Sequence, residues 1–210
     1  MAILFDLDGT ILGTSEKKID ILNRCARELG APEVGKDEYS EVFDRYIQMG
    51  KIDTRKPIFE ELLGDGDLAE ELSEMYRIRS LEKTFVYPDA EEVLRNLPGK
   101  KGLVTNGPRL DQWEKIERFD LSKYFDVIVV SGEVGVAKPD PQIFHLALNS
   151  VGSSPGESFH VGDFENHDVI GARKAGLTSV LIKRDGSPPR VRPDYEIRDL
   201  RELYELIQRR

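Results

Sequence analysis

Short apolar runs, each cut off by a tight polar or glycine-bearing turn, constrain this chain more than any other feature. The run Met1–Phe5 ends in Asp6-Leu7-Asp8-Gly9-Thr10. Later come Gly102-Leu103-Val104, Val127-Ile128-Val129-Val130, Phe159-His160-Val161 and Ser179-Val180-Leu181-Ile182. Runs of this length bounded by turn residues read as buried strands. Between them apolar residues recur three and four apart, as in Val93, Leu94 and Leu97, in Ile143, Phe144, Ala147 and Leu148, and from Val169 and Ile170 to Ala175. That spacing places one apolar stripe on a helix. Apolar strands alternating with helices predict an α/β chain whose parallel sheet is covered on both faces, a doubly wound, Rossmann-like arrangement.

The alternation is interrupted once. Between Ser15 and Lys83 the strand signal vanishes, and apolar residues keep helical intervals at Ile19, Leu22, Ala26 and Leu29, at Val42, Phe43, Tyr46 and Ile47, and at Leu68, Leu72, Met75 and Tyr76. Because strands resume afterwards, the stretch predicts an inserted α-helical domain. The expected division is a core of residues 1–14 and 84–210 and a helical insert of 15–83, with Gly13 and Tyr87-Pro88 as hinges. The 210 residues suffice for one full core plus a smaller unit. Arg184-Asp185-Gly186-Ser187-Pro188-Pro189 reads as an exposed loop before a last strand and helix.

All strand C-termini of a parallel sheet lie along one edge, where ligands bind. The segments after the first, second and fourth runs, Asp6 to Thr10, Thr105-Asn106-Gly107 and Gly162 to Asp168, therefore converge although they lie up to 160 positions apart. Asp6, Asp8, Asp163 and Asp168 would share one crevice, and like charges so close need a cation. With oxygen donors throughout and only His167 as a nitrogen donor, Mg2+ fits better than zinc. Lys138, just before the proline-started helix at Asp140-Pro141, can add a fixed positive charge. A calcium loop is excluded, since its glycine should come two residues later and Lys17 stands where Glu belongs.

The formal net charge of -9 argues against nucleic acid or an anionic membrane as partner, while leaving a local phosphate site open. Cys25 is the only cysteine, so an internal disulfide and a cysteine-rich zinc site are excluded and a cytoplasmic setting is expected. Asp6 and Asp8 stop the first apolar run too early for a signal peptide, and no 18-residue apolar stretch occurs.

These four segments, in this order and at these separations, resemble the four motifs of the haloacid dehalogenase (HAD) superfamily. The resemblance is to its phosphoglycolate phosphatase-like members with a helical cap after the first motif, and it spans roughly residues 1–14 and 84–183. It implies a Mg2+-dependent phosphatase of small phosphate monoesters. Asp6 would attack phosphorus to form an aspartyl-phosphate, and Asp8 would serve as acid and then base. Thr105, Asn106 and Lys138 would bind the phosphate. Asp6, the Asp8 backbone carbonyl and Asp163 would hold Mg2+, with Asp168 steadying a metal-bound water or Lys138. Two positions depart from the family pattern: His167 stands where Asn is common, and Gly13-Thr14 replaces an acidic residue.

Asp8 disfavours a dehalogenase, which needs no proton donor. A sugar phosphomutase uses the same acid pair, a phosphonatase would need a cap lysine such as Lys17 or Lys18, and a non-catalytic binding protein could keep the fold. A P-loop kinase and a dinucleotide enzyme are disfavoured because their glycine signatures are missing. The expected partner is a small phosphorylated metabolite, and the expected assembly a monomer or homodimer. His145 and His160 read as packing residues. Arg45, Lys51, Arg55 and Lys56 read as a solvated basic face, with the sharper alternative that one reaches over the crevice to select substrate.

Overall fold

The computed structural model describes residues 1–208, so residues 209 and 210 of the expected core lie outside the described residues. Along the chain the elements are β1 (Ala2–Phe5), β2 (Leu12–Thr14), α1 (Lys18–Glu28), α2 (Lys36–Met49), α3 (Lys56–Leu63), α4 (Gly66–Glu82), β3 (Thr84–Val86), α5 (Pro88–Asn96), β4 (Lys100–Thr105) and α6 (Arg109–Arg118). There follow β5 (Val127–Val130), α7 (Ser131–Val134), α8 (Pro141–Val151), β6 (Phe159–Gly162), α9 (Gly171–Lys174), β7 (Thr178–Ile182), β8 (Tyr195–Ile197) and α10 (Leu203–Gln208).

Six of these strands form one parallel sheet in the order β5-β4-β1-β6-β7-β8. The central strand β1 shows why both faces are covered. Ile3 and Phe5 point to one side and meet Ala90, Val93 and Leu94 of α5 and Ile116 of α6. Ala2 and Leu4 point to the other and meet Ile143, Phe144 and Ala147 of α8 and Ala172 of α9. With every residue of β1 buried, period-two alternation of side chains requires an apolar layer above and another below. The chain leaves β1 for β4 on one side and returns to β6 on the other, so the crevice at its C-terminal end is the topological switch point.

Helices α1 to α4 build a second apolar cluster around Ile21, Leu22, Ala26, Ile58, Phe59, Leu72 and Tyr76. Local signals set their ends. Asp65 caps α4 by accepting from the N–H groups of Asp67 and Leu68, and Gly64 ends α3 in the left-handed conformation. Of the two expected hinges, Gly13 lies within a short strand pair and Tyr87-Pro88 follows directly after it. Leu12–Thr14 and Thr84–Val86 pair as a two-stranded antiparallel ribbon with Gly13 opposite Phe85. Three-residue strands are too short to show an alternating pattern, so no sequence signal marks them.

The helical segment also docks on the core away from this ribbon. Ile52 N–H donates to Gly132 O at 2.9 Å, Arg109 N–H to Ile52 O at 2.8 Å and Leu110 N–H to Asp53 O at 3.0 Å. Arg55 and Asp111 form a buried ion pair across the same seam. A Cβ added to Gly132 would lie 2.4 Å from Ile52 O and 2.6 Å from Gly107 O, so only glycine lets these backbones meet. Gly132→Ala should therefore lower stability by about 1–3 kcal/mol and expose Lys51 and Arg55 to trypsin. Urea titration and limited proteolysis check this, and an unchanged cleavage rate would show that the seam does not depend on the close contact.

Candidate functional site

The site begins where β1 runs out. Asp6 N–H still donates to Val161 O at 2.9 Å, after which the chain folds into a tight loop closed by Gly9 N–H to Leu12 O at 2.7 Å and Leu12 N–H to Leu7 O at 2.9 Å. Gly9 has φ +82°, and a Cβ there would lie 2.1 Å from Asp163 Oδ2. The missing side chain is what lets the Asp163 carboxylate come up against this loop. Asp6, Asp163 and Asp168 thereby each offer a carboxylate oxygen within 4.8 Å of the others.

Lys138 holds this cluster together. Its buried Nζ donates to Asp6 Oδ1 at 2.6 Å and to Asp168 Oδ1 at 2.7 Å. Its backbone is gripped by Asn106, whose Oδ1 accepts from Lys138 N–H at 2.9 Å while its Nδ2 donates to Lys138 O at 2.8 Å. The Asn106 side-chain amide is thus committed to placing the lysine, whereas the phosphate contact expected here is one from backbone N–H groups near Asn106. Asp168 is further fixed by Phe164 N–H at 2.9 Å and by His160 Nε2 at 2.8 Å. His160 is therefore more than the packing residue its strand position suggested, although its ring also stands edge-on to Phe144.

Burial pushes the Asp6 and Asp163 carboxyls above the ordinary range. Lys138 opposes this at Asp6, while Asp6 and Asp168 add to it at Asp163. Burial acts on Asp168 in the same sense, yet Lys138 and His160 outweigh it and hold that carboxyl low. Burial alone would strip the proton from Lys138, but Asp168 and Asp6 hold the ammonium charged.

Asp8 faces the same crevice from a different set of partners. Its Oδ2 accepts from Lys115 Nζ at 2.7 Å, and its Oδ1 lies 3.4 Å from Nζ of Lys18 on α1. Against the cost of burial, Lys115 and then Lys18 keep it ionised. Thr105, at the end of β4, is buried, and its Oγ1 accepts from Gln112 Nε2 at 2.7 Å. A hydroxyl that accepts one bond keeps its own proton to donate.

These groups open onto a cavity of about 240 Å³, roofed by Lys18, Tyr39, Phe43, Arg55 and Tyr76 of the helical segment. Of the four basic residues singled out there, Arg55 reaches the cavity, whereas Arg45 pairs with Glu61 and Lys56 with Glu70 at the exposed surface. His167 approaches Asp44 of α2 at 3.8 Å, lies against the Phe164 ring at 4.6 Å, and also lines the cavity. Gln112, Lys115 and Asp111 carry no motif. Their trace in the sequence is that Gln112 and Lys115 lie four and one residues before Ile116, on the core-facing stripe of α6 where apolar residues belong.

A model of the haloacid dehalogenase-like hydrolase family matches residues 1–176. The chain belongs to that family. Its Asp6–Lys138–Asp168 cluster and helical insert thus sit in a HAD framework. The chain is 37% identical over 159 residues to the phosphoserine phosphatase of Thermus thermophilus, covering 71% of this chain and spanning 64% of that relative's length. It is 30% identical over 231 aligned positions to the N-acylneuraminate-9-phosphatase of Rattus norvegicus, covering 99% and 93%. A solved HAD phosphatase from Thermococcus onnurineus superposes with a TM-score of 0.70 at 35% identity, covering 98% and 97%.

Three carboxylates and a glycine-walled approach make a hard, all-oxygen donor set that fits Mg2+. Without metal, the raised Asp163 carboxyl favours folding at low pH and loses that contribution as pH rises above the ordinary carboxylate range. Asp163→Asn should flatten that loss, raise the melting temperature of the metal-free protein at neutral pH, and weaken Mg2+ binding by more than about tenfold. Thermal melts across pH with and without Mg2+ check all three. An Mg2+-induced upward shift that survives in the variant would remove Asp163 from the site.

Proposed function

We propose that this chain is a Mg2+-dependent phosphatase of small phosphate monoesters. Residues 1–14 and 84–210 form its core, residues 15–83 form its cap, and Asp6 is its nucleophile. The observation that carries the reading is the placing of the Asp6 carboxylate at the switch point of the sheet, bonded to a buried ammonium and facing a roofed cavity. The phosphatase relatives support it.

In the proposed reaction an Asp6 oxygen attacks phosphorus, a new O–P bond forms, and the ester O–P bond breaks in line with it. The departing oxygen takes a proton from Asp8, which Lys115 and Lys18 hold ionised in the free site and which receives that proton from solvent or from a substrate monoanion as the ester binds. Asp8, now a carboxylate, accepts a proton from the water that attacks the aspartyl-phosphate, so the cycle ends with alcohol, inorganic phosphate and the starting enzyme. Lys138 stays charged throughout and balances the anionic oxygens, while the Thr105 hydroxyl donates to one of them. Asp6, the Asp8 backbone carbonyl and Asp163 would hold Mg2+, with Asp168 steadying Lys138 or a metal-bound water. The ion would supply charge neutralisation to a carboxylate and phosphate that otherwise repel by roughly 4 kcal/mol per charge pair at 4 Å. The cap keeps bulk water out while leaving room for the water that cleaves the aspartyl-phosphate. We take the setting to be cytoplasmic and the assembly a monomer or homodimer. Among the described residues no helix is long and apolar enough to cross a membrane.

Hydrolysis of p-nitrophenyl phosphate should require Mg2+, and Asp6→Asn should lower kcat by at least about 10³-fold. Phosphate release assays together with intact-mass detection of a phosphorylated Asp6 peptide check this. An Asp6→Asn variant as active as the wild type would overturn the assignment of the nucleophile.

A further inference from the structure

The group that must meet the leaving oxygen does not stand alone. Lys115 lies on α6 and is 7% exposed, and its Nζ donates to Asp8 Oδ2 and to Gln112 Oε1, both at 2.7 Å. Gln112, 2% exposed, sends its own Nε2 to Thr105 Oγ1 at 2.7 Å and to Asn106 O at 2.8 Å, and reaches Asp8 Oδ2 at 3.4 Å. The amide has therefore committed its acceptor and its donors to groups at the cavity floor. It cannot turn without leaving buried polar atoms unpaired.

Stability does not explain the arrangement. A buried ammonium is costly to desolvate, and an apolar side chain at this core-facing position of α6 would pack at least as well. What the arrangement does accomplish is to tie three parts of the site together: Asp8 on the loop after β1, Thr105 at the end of β4, and the carbonyl of Asn106, whose side chain places Lys138.

We propose that Lys115, held in place by Gln112, is a positioning residue that fixes the Asp8 carboxyl against the departing ester oxygen and locks it to the phosphate ligand Thr105. The proton donor and the phosphate contact then keep one relative position through the reaction. The proposal deepens the phosphatase reading and rests on it.

Leaving-group dependence separates positioning from simple support. p-Nitrophenolate departs well without a proton, whereas phenolate needs one more, and kcat/KM reports the steps through phosphoryl transfer to Asp6. With Mg2+ present, Lys115→Met should lower kcat/KM for phenyl phosphate by about 10²-fold and for p-nitrophenyl phosphate by less than about tenfold. Gln112→Met should move the two substrates apart in the same direction by a smaller factor and raise KM for both, because Thr105 loses its partner. Circular dichroism establishes folding. If Lys115→Met does not fold, the same criterion applied to Gln112→Met decides. Equal losses on the two esters would overturn the positioning role while leaving the phosphatase reading intact. A wild type that hydrolyses neither ester would overturn that reading and this proposal with it.

Discussion

Two buried carboxylates and a half-buried third, each offering an oxygen within 4.8 Å of the others, depend on one ammonium, that of Lys138. At such separations like charges repel by several kcal/mol even where the effective dielectric is near 20. Lys138 bonds directly to Asp6 and Asp168, and Asp163 is the member left without such a bond. The electrostatic pattern follows from that geometry. The Asp168 carboxyl is held low by the lysine and His160, while burial and its acidic neighbours drive Asp163 up. The site is poised to accept positive charge at the corner Lys138 does not reach.

Holding one ammonium so firmly requires its loop to be clamped from two directions. Asn106 brackets the Lys138 backbone from the core, and Gln48 of α2 donates to the same Lys138 carbonyl at 2.8 Å. Ala137, the preceding residue, packs into the apolar cluster of the helical segment. The element that covers the cavity therefore also touches the backbone that carries the lysine. With Arg55 pairing to Asp111 and Lys18 approaching Asp8, the helical segment also touches the acidic groups of the core directly.

The roof of the cavity has a chemistry of its own. Arg55 donates through Nε to the Tyr39 hydroxyl at 2.9 Å, and its guanidinium lies 5.5 Å from the Phe43 ring centre and 5.1 Å from that of Tyr76. An aromatic wall around a paired guanidinium offers both a flat apolar surface and hydrogen-bond donors to whatever the phosphate is attached to.

By itself the sequence determined the fold class, the alternation of strands and helices in the core, the inserted helical stretch, and the carboxylates and lysine at one sheet edge. These were legible because a parallel sheet sends the end of every strand to the same edge, so residues far apart in sequence can be placed together without knowing any distance. Only the tertiary structure decided which side chains pair. It assigned Asn106 to the lysine backbone, His160 to Asp168, Arg55 to the roof, and Gln112 with Lys115 to Asp8, and it placed Gly13, one of the two expected hinges, in a paired ribbon. The physical reason is that these contacts arise where a helix face or a three-residue strand meets another element through space. Local spacing records that such a face is buried, but not which polar group it will meet.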